Sequence, residues 1–128
     1  MSADGVVVAE KLMSISATQS AAFFSEIALQ GCVWAIRDSA GFPTSTNASG
    51  ETTMPFWSLE SRANKIVDSV PAYSGFVPEK LKLDVFESRW LPGLERDGLL
   101  VGINWSGDSA TGYDMKPADV AARLAIKP

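Results

Sequence analysis

The sequence predicts a single α+β domain, a mixed and mainly antiparallel sheet of about five to six strands with about four helices packed on it. Three observations carry that expectation. Apolar residues recur at helical spacing in some stretches and switch to short β-rich runs in others. Turns containing glycine separate those runs closely, as antiparallel neighbours require. The 128 residues amount to one domain, and the connections between elements are too short to mark a second.

Residues 1–15 read as a weakly ordered lead-in and residues 16–128 as the domain. Ser16 or Thr18 is placed to cap a first helix, in which Ala21, Phe24 and Ala28, flanked by Phe23 and Ile27, make a core face until Gly31 stops it. Val33–Arg37, Phe42–Thr46 and Glu51–Trp57 then read as the strands of an antiparallel meander, with turns at Asp38–Gly41 and Asn47–Gly50. Pro55 inside the last of these runs argues for an edge, a bulge or the end of pairing, because proline has no N–H to donate.

Ser58 is placed to cap a second helix, whose Leu59, Ala63, Ile66, Val67 and Val70 share one face before Pro71 ends it. A loop over 72–78 leads to a short strand near Leu81–Leu83. Asp84 and Glu87 form a capping-box-like pair ahead of Phe86, Trp90 and Leu91, and Pro92 with Gly93 is expected to break that helix. Leu99–Trp105 is apolar enough for a central strand covered on both faces. Tyr113–Met115 reads as a short strand, and Pro117 opens a closing helix that carries Val120, Ala121 and Leu124.

Composition narrows the function. Lys and Arg number 11 against 15 Asp and Glu, for a net charge of -4, and the basic residues are scattered along the chain. Duplex binding needs clustered cations to displace counterions from phosphates, so no nucleic-acid partner is expected. There is no histidine, which removes the commonest general base, the commonest metal ligand and every triad built on imidazole. The single cysteine, Cys32, can form neither an internal disulfide nor a thiolate cluster, and between Gly31 and Val33 it reads as a buried small hydrophobe. No metal and no cofactor are expected. No stretch approaches the length of a membrane span and the first residues lack a basic, signal-like opening, so the expectation is a cytoplasmic chain with no membrane partner.

Carboxylates and tryptophans are the chemistry-bearing residues that remain. Asp84 with Glu87, or Asp108 with Asp114, could serve as acid and base, although helix capping already accounts for the first pair. The tryptophans are Trp34, Trp57, Trp90 and Trp105. Each combines a large apolar area with one N–H that needs an acceptor, which suits both cores and binding surfaces. Trp90 shares an apolar helix face with Phe86 and reads as core. Trp57 and Trp105 each end a strand, and fit equally at the core rim or on a binding surface. Trp34 alternates with Val33 and Ala35 and falls on the opposite sheet face from them. The candidate binding residues are Trp34, Trp57 and Trp105, with Arg62 and Asn104 beside the central strand.

Met54–Ser58 and Phe86–Ile103 carry a resemblance. A Pro-Phe-Trp step at 55–57 closes a strand, a Phe-x-x-x-Trp-Leu-Pro-x-Leu run at 86–94 ends a helix, and Asp97-Gly98 opens a hydrophobic strand. In these the chain resembles the small bacterial proteins grouped as domain of unknown function 2750; Val33-Trp34 and the final Pro-led helix extend the likeness over residues 12–126. The resemblance concerns family membership and implies no activity. A weaker likeness, of architecture only, is to the enhanced-serine-sensitivity domain, a module associated with protein secretion and interaction. The chain departs from it at Asn104-Trp105, where that domain usually has Asn-Pro.

The expected function is a non-catalytic protein-binding or regulatory module, and the acidic balance suits a basic partner. The alternative is a small-molecule sensor or small enzyme that works with carboxylates, Arg62 and Asn104. A homodimer joined by an apolar strip is the third reading.

Overall fold

The computed structural model describes residues 18, 20–107 and 110–126. The expected lead-in over 1–15 and the cap at Ser16 lie outside the described residues. Helix α1 covers 20–30 and stops at Gly31, whose φ of 67° is left-handed and costs glycine nothing. The Gly31 N–H closes the last turn on the Ile27 carbonyl at 2.8 Å. Then follow β1 (Cys32–Arg37), β2 (Ser45–Thr46), β3 (Thr52–Phe56), α2 (Glu60–Ser69), a 3-10 turn (Pro71–Tyr73) and β4 (Val77–Lys82). A composite helix runs from α3 (Leu83–Val85) through a π-helical turn (Phe86–Trp90) into α4 (Leu91–Arg96), and β5 (Leu100–Ser106), β6 (Thr111–Met115) and α5 (Pro117–Ala125) complete the chain. The order of helices and strands is the one expected, and the chain is an α+β domain.

Strand pairing differs from a meander. One sheet has the order β2-β3-β5-β6 and the other pairs β1 with β4. All pairs are antiparallel except β3 with β5. Trp34 and Trp57 exchange N–H···O bonds of 2.7 Å in both directions, which joins the sheets. The expected second strand shrinks to Ser45–Thr46, because Pro43 offers no donor and the Phe42 ring packs edge-on against Trp90 at 4.8 Å instead. Pro55 lies on the edge of β3 that faces β2 and β1, in the gap between Thr53, paired with Ser45, and Trp57, bridged to Trp34. Its missing N–H therefore breaks no ladder.

Pro92 does not break the third helix. The Leu91 N–H reaches back five residues to the Phe86 carbonyl, and this π-turn shifts the ladder so that Pro92 falls in the first turn of α4, where no donor is required. Nor do Asp84 and Glu87 form a capping box. Lys82 is the N-cap, and among the described residues Asp84 Oδ1 accepts only from the next residue's N–H, at 2.9 Å.

The sheet is buried on both faces. On the first, α1, the composite helix and α5 bring Phe23, Ile27, Phe86, Leu91, Leu94 and Val120 against Val33, Ala35, Phe56, Val101 and Ile103. On the second, α2 brings Ala63 and Ile66, with its C-cap Val70, against Ile36, Trp57 and Trp105. Residues alternate between faces along β1, as period-two geometry demands. No helix among the described residues is long and apolar enough to cross a membrane.

Candidate functional site

The site grows from an irregularity in β5. Ile103 pairs with Tyr113 and Ser106 with Thr111, so the register shifts between them. Within the shift Asn104 takes a left-handed φ of 48°, a conformation asparagine tolerates better than most residues. The kink lays the Trp105 indole back over the sheet. A Cβ on Gly102 would come within 2.6 Å of Trp105 Cε2, and one on Gly112 within 2.9 Å of Trp105 Cδ1, so both positions need glycine for the ring to lie down.

Two hydrogen-bonded chains leave this kink. The Trp57 indole N–H donates to the Trp105 carbonyl at 2.8 Å, the Trp105 indole N–H donates to Asp114 Oδ1 at 2.9 Å, and the Thr53 hydroxyl donates to the other Asp114 oxygen at 3.4 Å. In the second chain Asn104 Oδ1 accepts from the Ser58 backbone N–H at 2.9 Å, and Asn104 Nδ2 donates to Ser58 Oγ at 3.0 Å. A backbone N–H can only donate, so the amide must turn its oxygen toward it. The Ser58 hydroxyl then donates to Glu26 Oε1 at 2.5 Å, and Arg62 grips the same carboxylate with Nε and Nη2, each at 3.0 Å.

The hydrogen bonds from Arg62 hold the Glu26 carboxyl below its ordinary value; partial burial opposes them, while the Ser58 hydroxyl and the Arg62 charge add to the lowering. Glu26 is thus an ionised structural anchor at neutral pH, the opposite of a carboxyl tuned to act as an acid. Among the described residues every buried side-chain nitrogen and oxygen has a partner.

Beside this network, between α2 and the end of β5, lies a cleft of about 200 Å³ lined by Arg62, Lys65, Ile66, Ser69, Asn104, Trp105, Ser106 and Gly107. Trp105 also walls a second cavity of about 190 Å³, with Ser45, Asn47, Thr53 and Asp114. A larger concavity, about 640 Å³, is an open groove at Gly31, Leu83, Asp84, Glu87 and Ser88. It holds none of the candidate binding residues and too little wall to enclose a ligand.

Arg62, Asn104 and Trp105 meet at the first cleft. Trp57 supports them from inside the core with no exposure, and Trp105 itself is only 7% exposed. Trp57 is a core residue, and Trp105 is a core residue that also lines the cleft. Trp34 packs half-buried on the second face, away from the cleft. Ser58, expected as a helix cap, is spent on Glu26 and Asn104 while Leu59 is the N-cap of α2. Glu26 is the residue the sequence reading missed. Its signal was a charged residue three places after Phe23 and one before Ile27, on the flank of a core face. The Asp108 member of a candidate carboxylate pair lies outside the described residues. Among the described residues no group of three or more Cys, Asp or Glu could hold a metal ion.

The family model described as protein of unknown function (DUF2750) matches residues 20–124. The chain belongs to that family. No curated protein matches the chain. The DUF2750 match runs from α1 into α5, so the networked residues Glu26, Ser58, Arg62, Asn104 and Asp114 and the residues that line the cleft all lie within the family's span.

Proposed function

We propose that this DUF2750 protein is a non-catalytic protein-binding module and that the cleft between α2 and β5 is its recognition site. The observation that carries the reading is the size of the cleft. At about 200 Å³ it falls below the roughly 300–1,000 Å³ of small-molecule pockets, and suits one side chain of a partner instead. Two further features support it. Two polar groups at its wall are anchored from behind, Arg62 by Glu26 and Asn104 by Ser58, which makes a rigid frame rather than a reacting set. The frame is carried by a helix and a strand, so its geometry is held before any partner arrives.

Ser69 provides the test. It is exposed on the last turn of α2, and among the described residues its hydroxyl bonds only to the Lys65 carbonyl one turn back, so Ser69→Phe fills the cleft without entering the core. Cross-linked capture from the native cell should enrich a partner with the wild type and lose it with Ser69→Phe. Equal enrichment by both proteins overturns the site. A metabolite that raises the melting temperature of the wild type but not of Ser69→Phe would favour the small-molecule sensor instead.

A further inference from the structure

We propose that the side chain received by the cleft is acidic, and that the partner is an acidic protein segment whose carboxylate is held between Arg62 and Lys65. The inference rests on the cleft being a protein-binding site. Its warrant is a reversal of charge. The whole chain carries a net charge of -4, yet the residues that line the cleft include the cations Arg62 and Lys65 and no carboxylate.

The two cations differ in kind. Arg62 is locked by its forked grip on Glu26 through Nε and Nη2, which leaves Nη1 without a hydrogen bond among the described residues. A guanidinium held this way offers a pre-aimed donor at little further entropy cost. Its charge is balanced by Glu26, so the net positive charge of the cleft is that of Lys65, exposed and in no ion pair among the described residues. Ile66 and Trp105 supply apolar wall for the methylene stem of a glutamate. An acidic segment is repelled by the molecule's overall field and attracted here, so the same charges that draw it to the cleft discourage it elsewhere. Net charge alone argues for a basic partner; the local chemistry argues for the opposite, because a charge separated from the site by more than a Debye length is screened while Lys65 is in contact.

A fluorescein-labelled deca-glutamate peptide is the probe, followed by anisotropy at about 0.1 M salt, where the Debye length is about 10 Å, with deca-lysine as the basic arm. The wild type should bind deca-glutamate, Lys65→Glu should weaken it about tenfold through reversal of a rim charge, and Ser69→Phe should abolish it. Lys80→Glu, an exposed change on β4 outside the cleft, should bind like the wild type. Circular dichroism of each variant checks that the fold is intact. No deca-glutamate binding, equal loss in Lys65→Glu and Lys80→Glu, or deca-lysine binding that Ser69→Phe abolishes overturns the proposal. Capture from the cell separates it from the broader reading: a partner lost with Ser69→Phe but kept with Lys65→Glu retains the binding site and removes the acidic partner, and a partner kept with both removes the two together.

Discussion

The two faces of the sheet solve the same burial problem with different materials. On the first face aliphatic side chains and phenylalanines pack between three helical elements and the strands, and none of the buried residues of that core has a hydrogen-bonding side chain to satisfy. On the second face one helix covers the buried Trp57 and Trp105, with Trp34 half-buried against them, and each buried indole brings an N–H that must find an acceptor. Those acceptors, the Trp105 carbonyl and Asp114, place the tryptophans in one geometry, and with it shape the cleft. A core of plain hydrocarbons is tolerant of its contents. A core with obligate polar contacts is less so, because a misplaced ring leaves a buried donor or acceptor unpaired.

Neighbouring residues test this contrast most severely. Phe56 and Trp57 are both fully buried, one on each face, and replacement of either by Ala should cost about 3–5 kcal/mol in lost contact and cavity. Trp57→Ala should cost about 1–3 kcal/mol more, since the Trp105 carbonyl loses its donor. Urea denaturation of the pair at neutral pH decides it, and a larger loss for Phe56→Ala breaks the comparison. Next in size is Asn104→Ala, which strips the buried Ser58 N–H of its acceptor and leaves alanine at a φ of 48°, for about 2–4 kcal/mol together. Asn104→Gly relieves the backbone part alone, so the difference between the two variants measures it.

Gly102→Ala follows at about 1–3 kcal/mol, because the new methyl must displace the Trp105 ring rather than a flexible tip. Near-UV circular dichroism should change with it if the indole lifts from the sheet. Smallest is Glu26→Gln, about 1 kcal/mol or less for a partly solvated pair. Here the sign of the pH dependence matters. The Glu26 carboxyl is held below its ordinary value in the folded state, so its stabilisation is present above that ordinary value and is lost as pH falls through it toward the folded one. Denaturation midpoints across that acid window should slope less for Glu26→Gln than for the wild type. Ile103→Val on the first face should lower stability by a similar amount at every pH, since no titrating group changes with it.

Local signals in the sequence were reliable wherever one residue's own geometry decides. Gly31 ends α1 as read, since only a left-handed residue closes that turn, and Pro117 opens α5 because its lost N–H is spare in a first turn. Pro92 was misread for the complementary reason: a helix can shift to a wider turn when packing holds both of its halves, and Phe86, Leu91 and Leu94 are held by the first core. The candidate site was legible in part. Arg62, Asn104 and Trp105 were named and do meet, while Glu26, which orients Arg62 from 36 residues away, carried only a flanking position on α1 as a hint.

What the sequence determined by itself was the α+β class, the order of its helices and strands and the removal of imidazole chemistry, internal disulfides and thiolate clusters. These depend on composition and on periodicities that a chain carries locally. Only the tertiary structure decided that β1 takes β4 as its partner, that both strand-end tryptophans are core, and that Arg62 and Lys65 border one cleft with Asn104 and Trp105. Each is a contact between residues far apart in sequence, chosen by which apolar faces and unpaired donors can be satisfied together, and no local pattern encodes that joint choice.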